Sequence, residues 1–535
     1  MFKATCACAP AVIVALLILQ AIGCNKAPSN NNSVTAEELT TTANETRHVV
    51  IANQNFAIDL YRQLAKEQSG KNLFFSPYSV SGALDLALEG AVKKTALEMG
   101  NVLRFPDELR QKGNDEARLP WDTEQIHMSM AALNQRFKPK PVSQKQREHV
   151  AMLHHNLEVA NHQIKEFEEA GNFAQARSVH SSAEKFAAEL NAIAGAMDAY
   201  EIRVANAIWA DKGIPLAPLY LDVIRKAYGK DSISSVDFRN QSDAARTEIN
   251  SWVEKQTSKR IKDLLPAGSV DKLTRLVLTN AIYFKGEWQE PFPEKLTEKA
   301  EFTVADGSKL TVPLMHDNDR HDVSFAAFNE DGTAFETPKE IAAQDAPNPA
   351  SAYPDANGFL MLEIPYKSGA LSMVAILPQD AGGLEVLEKK LTGTDLQGWI
   401  AKLQQRVVHV YLPKFKLESE YGLKPTLNAL GMIRAFEPPT SPNPAQFDRI
   451  SSDPKSAEEL YIADVRHKAF IEVNEKGTEA AAATGIAMAA AEAHQPDAKV
   501  PFIPTFKADR PFLFLIQDTK TGTILFLGRV VQPAE

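Results

Sequence analysis

The sequence predicts one large α+β domain, and three observations carry that expectation. Residues up to about 200 read mostly as helices, the chain from Glu201 onward reads as strands with intervening helices, and one contiguous pattern runs to the C-terminus with no linker to divide it. A length of 535 residues would by itself suggest several domains, but large single domains escape that rule. With 44% hydrophobic and 24% charged residues, the chain has the balance of an ordinary soluble globular protein and can build a large core. Its net charge of −10 argues against a general binder of phosphate backbones, because no basic surplus supplies electrostatic affinity.

Taken in order, the N-terminus comes first. All three cysteines, Cys6, Cys8 and Cys24, lie at the start of the chain, so the body can hold no intrachain disulfide framework. Lys3 precedes an apolar run from Ala11 to Leu19, too short for a comfortable membrane span and suited to a secretory signal. It ends in Gln20-Ala21-Ile22-Gly23-Cys24, which resembles a bacterial lipobox, so residues 1–24 read as a lipoprotein-type signal with Cys24 as the lipidated first mature residue. Ala21 departs from the leucine usual at that place, and a plain signal peptide with an incidental Cys24 is the alternative. Residues 25–47, rich in Asn, Ser, Thr and Ala, have little to bury and read as a disordered tether. The protein is expected to be exported to the cell envelope, secreted or lipid-anchored, with that lipid as its only link to a membrane.

Phe56, Leu60 and Leu64 recur four apart on one helical face. Pro77 opens the next helix, where its missing N–H costs nothing, and a further helix covers Lys94 to Leu103. The stretch 107–200 is charged and helix-favouring, with a Gly171-Asn172 break, and reads as an inserted helical hairpin. Its histidines at 149, 154, 155 and 162 follow no ligand spacing and read as solvated helix positions, so no metal is expected. RVANAIWA, RLVLTNAIYF, LSMVAILP, VVHVYLPKFKL, FLFLIQD and TILFLGRVV read as strands. Residues 329–358, with four prolines, read as a surface loop.

Six segments carry a family resemblance: FFSPYSVSGAL (74–84), TNAIYFKGEW (279–288), PLMH (313–316), LPKFKLESEYGLK (412–424), HKAFIEVNEKGTEAAAATG (467–485) and RPFLFL (510–515). Each resembles a serpin signature, and all six stand in the family's order from about residue 49 to 533. The resemblance implies a serpin domain over 48–535, with three β-sheets, about eight or nine helices, an exposed reactive-centre loop and the insertions 107–200 and 329–358. It implies a monomer without cofactor that is not an enzyme. The residues agree with the last point: there is no G-x-S-x-G elbow, H-E-x-x-H helix or glycine-rich phosphate loop. In this family a protease cleaves the loop, which then inserts as a central strand before the acyl-enzyme hydrolyses.

The loop sequence suits insertion. Gly477 permits unusual backbone angles at the hinge, and Thr478 is small, uncharged and β-branched, fit to enter the sheet first. Strand alternation places Thr478, Ala480, Ala482, Thr484, Ile486, Met488 and Ala490 on one face, small or apolar throughout. Glu479, Ala481, Ala483, Gly485, Ala487 and Ala489 fall on the other. Glu492 is next in the buried phase, and an unpaired carboxylate is costly to bury, so insertion is expected to stop near Ala491. An alanine-rich helix is the competing reading of the same residues.

Counting from Glu475, the family's hinge glutamate, places the reactive bond between Ala491 and Glu492; Ala489, Ala490 and Ala493 are alternates. Counting back from Pro511 lands near Val500, because the segment after the bond is unusually long. The hinge count is preferred, since insertion needs a fixed strand length; residues 478–491 span roughly 46 Å at about 3.3 Å each. An Ala491 primary site implies an elastase-like or subtilisin-like target with a small apolar pocket, and Glu492 could serve a glutamate-specific one. By resemblance, Ser76, Ser79, Asn280 and His467 match the shutter beneath the central strands, and Trp288 matches the breach where the loop first enters. A non-inhibitory serpin that binds a partner through its helical insertion is the rival function.

Overall fold

The computed structural model describes residues 36–111, 119–138, 144–170, 172–197, 200–320, 322–342, 356–478 and 499–533. The chain divides into two compact units, Met1–Asn44 and Glu45–Glu535. Helix α1 covers Ala36–Glu67. Residues 36–47, expected as tether, are therefore helical. Their polar composition masked this, because a helix propagates cheaply from an established nucleus, here the face of Phe56, Leu60 and Leu64, which is buried in the core.

After β1 (Leu73–Phe75) come α2 (Pro77–Leu88), α3 (Lys93–Val102) and α4 (Thr123–Phe137), then the helical pair α5 (Gln144–Glu169) and α6 (Phe173–Met197). The middle of the chain holds β2 (Tyr200–Asp211), α7 (Pro218–Tyr228), β3 (Ile233–Val236), α8 (Phe238–Gln256), β4 (Leu276–Glu287), β5 (Glu298–Thr303) and β6 (Lys309–Arg320). Next are β7 (Ser324–Phe328), β8 (Ala334–Phe335), β9 (Glu340–Ala342), β10 (Phe359–Pro365), β11 (Leu371–Pro378), α9 (Gly383–Lys390) and α10 (Gly393–Ile400). The chain continues with β12 (Gln404–Gln405), β13 (Val408–Pro413), β14 (Phe415–Gly422), α11 (Lys424–Leu430) and α12 (Pro454–Glu458). It closes with β15 (Ile462–Asn474), β16 (Gly477–Thr478), β17 (Lys499–Pro501), β18 (Thr505–Lys507), β19 (Phe512–Asp518) and β20 (Ile524–Val530). Twelve α-helices thus stand among the described residues, nine of them outside 107–200, in line with the eight or nine expected beside a helical insertion.

Three sheets form, as expected, with an added two-stranded ribbon, β17-β9. A six-stranded sheet has the order β14-β15-β16-β4-β2-β3, an eight-stranded one β1-β20-β19-β11-β10-β7-β12 with β8 on β7, and a four-stranded one β18-β13-β6-β5. The continuous hydrophobic strands β11, β19 and β20 are buried along their whole length. Helix α2 is buried on every side; the Ser76 side chain caps it by accepting from Ser79 N–H, and Pro77 takes its first turn. No described helix is long and apolar enough to cross a membrane.

Both insertions differ from expectation. Residues 107–111 and 119–137 belong to the body: Leu109, Trp121, Ile126, Met130, Leu133 and Phe137 join the main core, and Trp121 donates to Ala96 O at 2.9 Å. The inserted element is α5–α6 alone. Its seam buries Leu153 and Ala160 on one helix and Ala176 and Ala183 on the other, each pair a heptad apart, and His149 bonds Glu189 across it. Residues 329–358, read as a loop, contain β8 and β9, and β9 pairs with β17.

Because the hairpin has its own seam of Leu153, Ala160, Ala176 and Ala183, and none of these joins the main core, it should be separable. Excising Gln144–Met197 and joining the ends with a short Gly-Ser linker is expected to leave the calorimetric midpoint of the body within about 3 °C. A drop several times larger would show that the hairpin packs into the core.

Candidate functional site

The site is the seam of the six-stranded sheet. Strands β15 and β4 run parallel and pair directly, with His467 opposite Asn280 and Phe470 opposite Tyr283. At one end they part to admit β16. Strand β15 ends at Asn474, turns through Glu475 and Lys476, and returns as Gly477–Thr478, which pairs antiparallel with both β15 and β4. Gly477 sits at φ +146°, and a β-carbon there would lie 2.2 Å from Gly286 O and 2.7 Å from Glu287 Cα, so only glycine fits.

Trp288 holds this turn. Its indole N–H donates to Asn474 O at 3.0 Å, its backbone N–H to Lys476 O, and its ring stacks on Tyr366 at 4.7 Å. Tyr366 Oη in turn lies 2.9 Å from Thr478 Oγ1. Glu475 accepts from Thr297 Oγ1 at 2.8 Å and forms an ion pair with Lys414 at 3.0 Å. Burial pushes its carboxyl up, but hydrogen bonds from its own backbone, Lys414 and Thr297 outweigh this and hold it below the usual carboxylate range. Thr478 is fully buried and already paired. Thr478 is thus the last residue of β16 and already part of the six-stranded sheet.

The second cluster lies under the seam. Ser76 Oγ donates to Leu525 O at 2.6 Å and Ser76 N–H donates to His467 Nε2 at 3.1 Å, while the other ring nitrogen, Nδ1, bonds Asn280 Oδ1. Asn280 Nδ2 donates to Ser79 Oγ and to Asn206 Oδ1, both at 2.6 Å, and Asn206 Nδ2 donates to Ser79 O at 2.8 Å. The structure thus joins Ser76, Ser79, Asn280 and His467 and adds Asn206. A lone asparagine inside the apolar strand RVANAIWA was the signal that could have revealed it. Tyr366 and Thr297 had no such mark. Residues 479–484, Ala489, Ala490, Ala491, Glu492, Ala493 and Cys24 lie outside the described residues.

Desolvation drives the His467 imidazole down to about 3, so it stands neutral with Nε2 as acceptor and Nδ1–H as donor. The sign follows: the unfolded chain binds this proton below about pH 6.5 and the native state does not, so acid favours unfolding. The group's contribution is complete above pH 6.5 and falls away toward pH 3, by about 2 kcal/mol at pH 5. Urea titrations of the wild type and His467→Gln are expected to show a stability gap that closes by that amount between pH 7 and 5. A gap independent of pH would mean that the imidazole is not held neutral.

Comparison with known proteins gives a match between residues 51–533 and the family model described as serpin (serine protease inhibitor). Similar sequences include serpin B10 of Papio anubis, 34% identical over 89% of this chain and 98% of the relative. Serpin B4 of Homo sapiens is 32% identical over 90% and 98%. An uncharacterized serpin-like protein of Methanosarcina mazei is 30% identical over 98% and 97%. Among solved structures, uncleaved ovalbumin superposes with a TM-score of 0.63 at 25% identity, covering 91% of this chain and 100% of that one. The native stressed conformation of an Arabidopsis serpin gives 0.62 at 23%, covering 91% and 98%, a likeness of fold.

Proposed function

Since the chain belongs to the serpin family, we propose that it is a suicide-substrate inhibitor of serine endopeptidases, and of cysteine endopeptidases with the same acyl chemistry. The observation that carries this reading is the register of β16. Thr478 lies opposite Val473 on one side and Gly286 on the other. Continued in that register, Thr484 falls opposite both His467 and Asn280, which already face each other. Met488 reaches Leu276 and Ala489 reaches Ile462, the residues at which β4 and β15 end. The slot therefore accepts the loop to within a few residues of Ala491, which agrees with the length read from its side chains.

The faces agree as well. Thr478 points into the core, so Ala480, Ala482, Thr484, Ile486 and Met488 follow it there, and Glu479 comes to the solvent face beside Glu472 and Lys285. Burying Ile486 and Met488 contributes about 2 kcal/mol each, and two antiparallel ladders replace one parallel pairing. In the inhibitory step the target's nucleophile attacks the Ala491 carbonyl carbon, the Glu492 amine leaves with a proton, and the acyl bond forms. Insertion then carries the enzyme away before water can attack. A small side chain at Ala491 suits an elastase-like or subtilisin-like pocket. The N-terminal leader supports export, with Cys24 carrying a lipid that holds this monomer at the cell envelope.

The test is incubation with an elastase-like protease, followed by denaturing gel and intact mass. A covalent complex and a C-terminal fragment beginning at Glu492 are expected. Thr484→Arg should lower complex formation at least tenfold while cleavage persists, because it brings an uncompensated charge to the buried cluster. Thr478→Arg is the poorer probe, since it disturbs a side chain that the uncleaved protein already buries. Cleavage without complex by every protease tried would replace inhibition with a binding function.

A further inference from the structure

We infer that the 329–358 insertion is a clasp on the distal arm of the reactive loop, which keeps the uncleaved loop out of the sheet; the inference rests on the proposed insertion of residues 479–488. Two departures in the sequence, the long segment after the reactive bond and this insertion, meet in space. Strands β9 and β17 pair antiparallel, Lys499 opposite Ala342, Val500 opposite Ile341 and Pro501 opposite Glu340. Phe502 N–H donates to Lys339 O at 3.0 Å. By the alternation of an antiparallel ladder, 502/339 and 500/341 are the bonded pairs, and Pro501 occupies the place that needs no N–H.

The guanidinium of Arg406 closes the clasp by donating to Pro338 O at 3.0 Å and Phe502 O at 2.8 Å, one carbonyl on each arm. The base is fixed to the eight-stranded sheet, where β8 pairs with β7 and Gly358 N–H donates to Phe328 O. Beyond the clasp, His409 N–H donates to Pro504 O at 2.9 Å and β18 lies parallel on β13.

Chain length makes this contact consequential. Extending β16 to Met488 moves the chain about 33 Å down the seam. Residues 489–498 join Met488 to Lys499 in eleven steps and, fully drawn out, span about 40 Å at most. An uncleaved loop held at Lys499 can therefore insert fully only as a taut return, with almost nothing left for the path around the sheet end. Opening the clasp frees 499–504 and adds roughly 20 Å. Cleavage at Ala491 removes the need for any return path, so the clasp opposes insertion of the intact loop and leaves insertion of the cleaved loop free.

The test uses the full-length chain with serine at Cys6, Cys8 and Cys24. Glu340→Cys with Pro501→Cys locks the clasp: both side chains are exposed, and such a non-bonded antiparallel pair has the Cα spacing a disulfide accepts. Arg406→Ala and Val500→Pro, made separately, open it. Each uncleaved protein is warmed without protease, and its conversion to a denaturation-resistant, loop-inserted form is timed by guanidinium midpoint. The opened variants are expected to convert about fivefold faster than the parent, the scale of one hydrogen bond removed. The oxidised pair should convert at least fivefold slower, with reductant restoring the parental rate, and should still gain stability when its loop is cut. Equal rates in parent, locked and opened proteins, or no conversion in any, would overturn the clasp. If no protease forms a complex yet the rates fall in this order, inhibition fails as a reading and the clasp stands; should Arg406→Ala not fold, Val500→Pro and the disulfide pair decide.

Discussion

Everything in this molecule turns on the direct pairing of β15 with β4. These two long strands lie parallel with nothing between them along most of their length, yet at one end β16 already separates them. A parallel ladder is slightly weaker per residue than an antiparallel one, which is the difference the proposed insertion would draw on. Gly477 makes the turn possible where any β-carbon would strike the β4 backbone, and Trp288, Tyr366 and Glu475 hold it in that position.

The proposed insertion would require the seam to open without wrecking the core, and the residues beneath it suit that demand. Purely apolar packing at that place would be broken as the strands part, with nothing to replace it. The hydroxyls, amides and imidazole of Ser76, Ser79, Asn206, Asn280 and His467 can exchange one partner for another. Thr484, the residue whose register falls between Asn280 and His467, carries a hydroxyl that can accept or donate. A neutral His467 belongs to the same logic, since a buried imidazolium would favour whichever state gave it solvent.

Much of this was legible in the sequence because it was periodic or local. Phe56, Leu60 and Leu64, four apart, announced α1, while the two-residue alternation from Thr478 to Ala490 runs on beyond the described residues. The α4 face of Ile126, Met130, Leu133 and Phe137 has equally regular spacing, but the charged residues around it drew the segment into the insertion. What stayed hidden was long-range. Thr478 looked like a residue waiting to enter, and only its pairing with Val473 and Gly286 places it inside the sheet. Val500, where the backward count for the reactive bond landed, lies in β17 and pairs with Ile341 of β9, a contact no local pattern announced.

The two inserted stretches divide by what they bury. The α5–α6 hairpin closes its own seam through Leu153, Ala160, Ala176 and Ala183, none of which joins the main core. The 329–358 segment has no core of its own in its described residues. Its strand β9 finds hydrogen-bond partners on the arm of the loop, and its neighbour Arg406 bridges the same two chains. An element stabilised in that way is necessarily coupled to the state of the loop, because whatever stabilises the ribbon also restrains Lys499 and shortens the chain available to an uncut loop.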